Sequence, residues 1–282
     1  MPELPEVETV RRQLAPICEG RRLRRVAVLD PRWCAPLAPA ELVDAVQGRR
    51  IEGLSRRGKY LIWDLSGEVH LIQHLRMTGT ILLDPSPEQR HVRVTIELSR
   101  RAGMPADLAF VDPRRFGTGQ LALGDAALEA FFADRLGLEP IDPRFTTEYL
   151  AGVLRGRRTA IKPLLLDQRR LAGVGNIYAD EALHGAGIHP LRPARQIRGA
   201  QVERLRASLA TVLEAGIESR GASIDDFRGV DGVYGSFQDR FRVHLRAGEP
   251  CETCGREIVK ITVAGRGTYV CERCQPRPRR RR

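Results

Sequence analysis

Cys251, Cys254, Cys271 and Cys274 form a C-x2-C-x16-C-x2-C pattern near the carboxyl end. That spacing suits tetrahedral thiolate coordination of one zinc ion, with each pair on a tight turn. Four thiolates leave no position for water, so the predicted zinc is structural and stiffens a β-hairpin rather than activating a nucleophile. A disulfide framework would need an oxidising compartment. Against one, Glu3, Glu6 and Glu8 stand where a secretory signal would carry lysines and an apolar core. Cys18 and Cys34 lie far from the four and read as buried thiols. Within the hairpin, "VAGRGTY" puts Arg266 between two glycines at the predicted tip. A cation there could enter a nucleic-acid groove or simply remain solvated.

The other end of the chain offers a different chemistry. Pro2 follows Met1, and removal of an initiator methionine before so small a residue would free a secondary amine. Such an amine attacking the anomeric carbon of a sugar can displace a base and leave an iminium, from which β-elimination of the 3′ phosphate is feasible. A free α-amino group has a pKa of about 7.7–8.0 against about 10.4 for lysine, so far more of it is unprotonated at neutral pH. Glu3, next in the chain, could supply a proton to the ring oxygen or the departing group if burial raises its pKa. By itself the tripeptide says little, since any chain can begin Met-Pro-Glu.

Elements to position these groups are legible. Behind Pro5, whose fixed φ suits a first turn, Val7, Val10 and Leu14 fall at helical spacing, with Glu6 and Glu8 favourably placed for the helix dipole. From about residue 23 to 123 short β-type runs follow, among them "RRVAVLD", "KYLIWDL", "EVHLIQHL", "VRVTIEL" and "GQLAL", which predict two packed sheets. The prolines and glycine of "LGLEPIDPRF" mark a connection. Beyond it "TTEYLAGVLR", "AIKPLLLDQ", "NIYADEALHGAG" and "GAQVERLRASLATVLEAGIESR" read as helices until roughly Phe241. The expected class is α+β, divided as 1–135 (β-sandwich with a leading helix), 136–240 (helical), 241–275 (zinc hairpin) and 276–282 (basic tail, expected to be disordered).

Lys plus Arg exceed Asp plus Glu by 46 to 35, which favours an acidic partner such as nucleic acid over a neutral metabolite. Five of the eleven net charges are Arg277 and Arg279 to Arg282, so the charge alone is a weak signal. No run of about 18 apolar residues appears, and the expectation is a cytoplasmic, soluble protein without a membrane partner, acting as a monomer.

The opening "PELPEVETVRRQL" resembles the start of the formamidopyrimidine-DNA glycosylase family, which shares its architecture with endonuclease VIII. "GKYLI" around Lys59, "HLRMTG" around Met77, "DPRRFG" at 112 to 117, "GVGNIYADEAL" at 173 to 183, "GIHP" at 187 to 190 and the four-cysteine hairpin occur in family order. The resemblance spans all but the arginine tail and is closer to the oxidised-purine branch. It implies a β-sandwich opened by the helix carrying Pro2, a helix-two-turns-helix domain with a zinc hairpin, and damaged duplex DNA in the cleft between, hence a nucleoid-associated location. It also implies roles: Pro2 as Schiff-base nucleophile, Glu3 as general acid, Lys59 as phosphate contact and proton donor in β-elimination, and Arg266 as a phosphate contact linked to δ-elimination.

An enzyme that reaches a bond inside the stack must extrude the nucleotide at a cost of a few kcal/mol and fill the hole. Met77, Arg114 and Phe116 match the family's intercalating trio. Phe116 would wedge a base step, while Met77 and Arg114 take the vacated space and Arg114 pairs with the orphaned cytosine. Taken singly, Met77 and Phe116 would read as core residues. Asn176, in the turn "GVGN" that opens a helix, is implied to bind phosphate with the backbone amides of that helix end. His91, Arg157 and Lys162 are implied backbone contacts by matched position.

Three departures bear on lesion choice. Where the family has Gly-Gly-Thr-Thr and then a cation, this chain has Arg220, Gly221, Ala222, Ser223 and then Asp225. His244 and Leu245 stand where Tyr-Gly is usual, and Arg76 replaces a common glycine. The reading is therefore a bifunctional glycosylase and lyase acting on 8-oxoguanine and formamidopyrimidines with one structural zinc. The alternatives are an endonuclease VIII-like enzyme preferring oxidised pyrimidines, or a non-catalytic zinc DNA-binding protein of the same fold.

Overall fold

The computed structural model describes residues 2–224 and 229–278. Two readings, Asp225 in the departing loop and the arginines 279–282, lie outside the described residues. The chain forms two compact units: Met1–Asp134 with Ser219–Ser236, and Arg135–Glu218 with Phe237–Arg282. Among the described residues no helix is long and apolar enough to cross a membrane.

In the first unit, helix α1 (Leu4–Cys18) leads into β1 (Leu23–Val28), α2 (Pro39–Val46), β2 (Ile51–Arg57), β3 (Tyr60–Leu65) and β4 (Val69–His74). Then come β5 (Thr80–Leu83), β6 (Val92–Leu98), β7 (Asp107–Val111), β8 (Thr118–Leu123) and α3 (Asp125–Ala133). The strands make two four-stranded antiparallel sheets, β1-β6-β7-β5 and β2-β3-β4-β8. Val26, Val94, Leu108 and Phe110 of the first share one core with Leu54, Leu61, Trp63 and Leu71 of the second. Alternation explains this: Leu61, Trp63 and Leu65 point to one face of β3. The stripe Val7, Val10, Leu14 and Cys18 of α1 joins the same core, each large apolar side chain contributing about 1.5–3 kcal/mol on burial. Helix α2 is an addition to a region that reads as strands throughout.

Residues 219–236, inside the stretch that reads from sequence as helical, pack with this first unit. Two anchors account for it: Ala222 N donates to Glu6 Oε1 at 2.7 Å and Val230 N to Gln13 Oε1 at 2.8 Å, both acceptors on α1.

The second unit contains α4 (Thr147–Leu154), α5 (Ile161–Leu165), α6 (Asn176–Gly185), α7 (Ala200–Glu218) and a hairpin of β9 (Val259–Val263) and β10 (Arg266–Val270). Helix α6 is central, buried from Ile177 to His184, and packs against α5, α7 and β10. Because it is buried on every side, its polar residues Asp180 and Glu181 must find partners inside the unit. Val243, Ile258 and Tyr269 form a small core with Cys251 and Cys271 under the hairpin.

Candidate active site and zinc centre

Pro2 and Glu3 are buried at the head of α1, Glu3 being 2% exposed. Glu6, one turn on, takes Glu3 N on Oε2 at 2.8 Å and Ala222 N on Oε1 at 2.7 Å. One carboxylate thus satisfies a helix-end amide and moors the 221–222 segment. Gly221 is required there: its φ is +78°, and a Cβ would lie 2.7 Å from Glu6 Oε1.

Lys59 is 4% exposed in the two-residue turn between β2 and β3. Arg56, before that turn, donates to Gly58 O at 2.9 Å and pairs with Glu8 of α1 at 3.2 Å. The helix that follows Pro2 therefore also holds the turn that carries Lys59. Burial alone would raise the Glu8 carboxyl, but hydrogen bonds from Arg11 and Arg12 and the charges of Arg56 and Arg11 overcome it and hold its pKa at about 2. On β4, burial, with the charges of Arg76 and Lys59, pushes His74 down to about 3. Its neutral Nδ1 accepts Arg76 N at 2.9 Å.

Met77 and Phe116 are exposed, at 44% and 49%, as intercalating side chains require and core residues do not. Arg114 is also exposed and lies over the Phe116 ring at 4.9 Å. Their two loops meet at Asp112, 1% exposed. Its carboxylate accepts Phe116 N at 2.8 Å, Gly117 N at 2.7 Å, Arg114 N at 3.2 Å and the Thr78 hydroxyl. Gly117 can only be glycine, since a Cβ would sit 2.4 Å from the Phe110 ring. His91 is exposed, with φ +64°, and its carbonyl accepts Asp112 N at 3.0 Å. Arg76 adopts φ +58°, the left-handed region that favours glycine.

In the second unit Arg157 is exposed, its carbonyl accepting Arg195 N at 2.9 Å. Asn176 is the first residue of α6, and its Nδ2 donates to Gly267 O at 3.1 Å. Lys162 requires a correction. It is wholly buried, ion-paired to Asp180 at 2.7 Å and bonded to Thr268 Oγ1 at 2.7 Å. A group so enclosed does not reach a phosphate, so its matched position is not a backbone contact in this fold. Arg266 is exposed and begins β10. The hairpin tip is Ala264 and Gly265, with φ +48° and +75°. Arg266 thus flanks the tip, paired with Val263.

The four cysteine sulfurs lie within 4.8 Å of one another, with Cys251–Cys274 at 3.9 Å and Cys254–Cys271 at 3.4 Å. Zn–S bonds of about 2.3 Å in a tetrahedron require sulfurs about 3.8 Å apart, so the donor set fits one structural zinc. His184 Nε2 lies 3.5 Å from Cys251 Sγ, able to donate to the thiolate.

Three family models match in order: the formamidopyrimidine-DNA glycosylase N-terminal domain over residues 1–119, its H2TH domain over 136–228, and a zinc finger found in FPG and IleRS over 248–277. The formamidopyrimidine-DNA glycosylase of Symbiobacterium thermophilum is 44% identical over 99% of this chain and 90% of its own. The chain belongs to the formamidopyrimidine-DNA glycosylase family. Two solved structures of the Lactococcus lactis FPG are similar to it, each covering 98% of this chain and all of that one. A point mutant in complex with Fapy-dG containing DNA has TM-score 0.90 at 37% identity, and the wild type with an oxidized pyrimidine containing DNA has 0.89 at 36%. Membership in the formamidopyrimidine-DNA glycosylase family makes the chain an enzyme of the DNA glycosylase and AP lyase class, which acts in base-excision repair. The non-catalytic reading is not retained.

Within this family framework the structure adds residues that sequence reasoning passed over. Asp112 opens "DPRRFG", and an Asp before Pro at a turn is a recognisable signal for a side chain that bonds nearby amides. Glu6 and Asp180 offered none, since their partners at Ala222 and His244 are 216 and 64 positions away.

Proposed function

We propose that this enzyme removes oxidised purines, 8-oxoguanine and formamidopyrimidines, from duplex DNA and then breaks the strand by β,δ-elimination, with Pro2 as nucleophile. The observation that supports it most is the head of α1: Pro2 and Glu3 are buried together, and Glu6 and the Glu8–Arg56 pair tie that helix to the 221–222 segment and to the Lys59 turn. In this reading the Pro2 nitrogen, once Met1 is removed, gives its lone pair to C1′. The C1′–base bond breaks with its electrons leaving on the base; the nitrogen then loses its own proton, Glu3 protonates O4′, and the C1′–O4′ bond opens with its electrons on that oxygen while the nitrogen lone pair closes the iminium. The resulting iminium acidifies C2′; loss of that proton expels the 3′ phosphate, and a second elimination expels the 5′ phosphate, leaving a one-nucleotide gap. Lys59 serves phosphate binding and proton delivery in the first elimination, and Arg266 a phosphate in the second. Met77, Arg114 and Phe116 occupy the vacated stack, and His91, Arg157 and the α6 amino end with Asn176 contact the backbone. Zinc, held by the four cysteines, supplies rigidity to the hairpin rather than chemistry.

A second reading, preference for oxidised pyrimidines, has specific support in the altered 220–223 segment and in the relative solved with an oxidized pyrimidine containing DNA. Borohydride trapping on duplexes bearing 8-oxoguanine, a formamidopyrimidine or an oxidised pyrimidine separates the two. We expect a covalent adduct with the purines first and none with Pro2→Gly. Preferential trapping on the pyrimidine would install the alternative, and unchanged cleavage by Pro2→Gly would remove the assigned nucleophile.

A further inference from the structure

β10 belongs to a two-stranded sheet, so one of its edges has no strand partner among the described residues. Side chains of the neighbouring helices occupy that edge instead. Gly267 O accepts Asn176 Nδ2 at 3.1 Å and Lys162 Nζ at 3.3 Å, and Tyr269 N approaches Asp180 Oδ2 at 3.4 Å. Lys162 Nζ also donates to Thr268 Oγ1 at 2.7 Å, and Thr268 Oγ1 in turn donates to Arg266 O at 3.1 Å. Lys162, Asp180 and Thr268 are all fully buried, so this chain of bonds is shielded from competing water. Asp180 is fixed from its other side by His244 Nδ1 at 2.9 Å, and the residues around His244 by Glu181, whose carboxylate takes three consecutive amides, 242 to 244.

We infer that Lys162 is a positioning residue for Arg266: the buried Asp180–Lys162 pair sets, through the Thr268 hydroxyl, the backbone of the residue that begins β10. The inference rests on the proposed role of Arg266 at the phosphate. Arg266 is otherwise exposed beside a two-residue tip, and among the described residues the β9 pairing and the Asn176 bond to Gly267 O are the other holds on its backbone. The matched lysine would then act on the second elimination from inside the protein.

The test reads products, not stability. Zinc-loaded full-length protein is given a duplex with an abasic site, and strands ending in a 3′ unsaturated aldehyde are counted against strands ending in a 3′ phosphate. Thr268→Val, which keeps shape and leaves the ion pair intact, is expected to lower the phosphate-ended share roughly fivefold. Borohydride trapping and zinc content should stay at wild-type level, and Thr268→Ser should restore the ratio. Lys162→Met with Asp180→Asn, which removes both charges together, gives a second route to the same shift. Wild-type product ratios in both, while Arg266→Ala lowers the ratio, would overturn the relay alone. A wild-type ratio in Arg266→Ala would remove the site reading and the relay with it.

Discussion

Replacing Asp112 by Asn keeps its size and leaves Met77, Arg114 and Phe116 untouched, yet it should cripple base excision from duplex DNA. An amide in the observed pose keeps one oxygen for Arg114 N and Thr78, but presents NH2 to Phe116 N and Gly117 N, now at 2.8 and 2.7 Å from an oxygen. Two donors then face donors. Hydrogen bonds to a charged acceptor are worth about 1.5–3 kcal/mol each, and an unsatisfied buried donor costs about 1–3 kcal/mol. Phe116 lies in an exposed loop and its amide can turn to water, whereas Gly117 N is buried and cannot. The net cost of holding both loops in place is therefore about 2–3 kcal/mol, which reduces the intercalation-ready population roughly 30- to 150-fold. Single-turnover excision from an 8-oxoguanine duplex should fall by that factor. Cleavage of a single-stranded abasic oligonucleotide, which has no stack to fill, should change less than roughly threefold, because the α1 head does not depend on these loops. Equal losses on both substrates, or no loss on either, would refute the assignment of Asp112 as the anchor of the intercalating loops.

Glu8 ties α1 to Arg56, and because its folded pKa of about 2 lies below the ordinary 4.5, its stabilisation is complete above pH 4.5 and lost as pH falls towards 2. Glu8→Gln should therefore unfold more easily at pH 7, by about 1–2 kcal/mol after solvent screening is allowed for, and show a flatter stability profile between pH 4.5 and 2 in urea titrations. Metal analysis should find one zinc per chain, and stripping it with a strong chelator should abolish strand cleavage with loss of hairpin order by amide exchange, since ligand binding and folding of such sites are coupled. Deleting residues 276–282 should flatten the slope of log K against log salt by about 0.9 for each phosphate the tail neutralises on B-DNA; an unchanged slope would make the tail a bystander.

What the residues disclose about this fold depends on how local the cause is. β1, β3, β4, β6 and β8 announce themselves as short β-type runs between breaks, and α1 by Pro5 followed by its apolar stripe. β2 hides behind Gly53, β5 has only four residues, and β7, buried at Leu108 to Val111, lacks alternation. The zinc ligands are legible because their chemistry lies in their spacing. Lys162 shows the opposite case: "AIKP" looks the same whether the lysine faces solvent or Asp180, and only the packing of α5, α6 and β10 decides. The same dependence explains why residues 219–236, following a long helix, belong with α1, since Gln13 and Glu6 are the acceptors their amides find. Motif matching assigned Lys162 by neighbourhood and Pro2 by kind. A buried ammonium can influence a phosphate only through what it holds, and in the relay inferred above Lys162 supports, through Thr268, another cation, Arg266, that stays exposed.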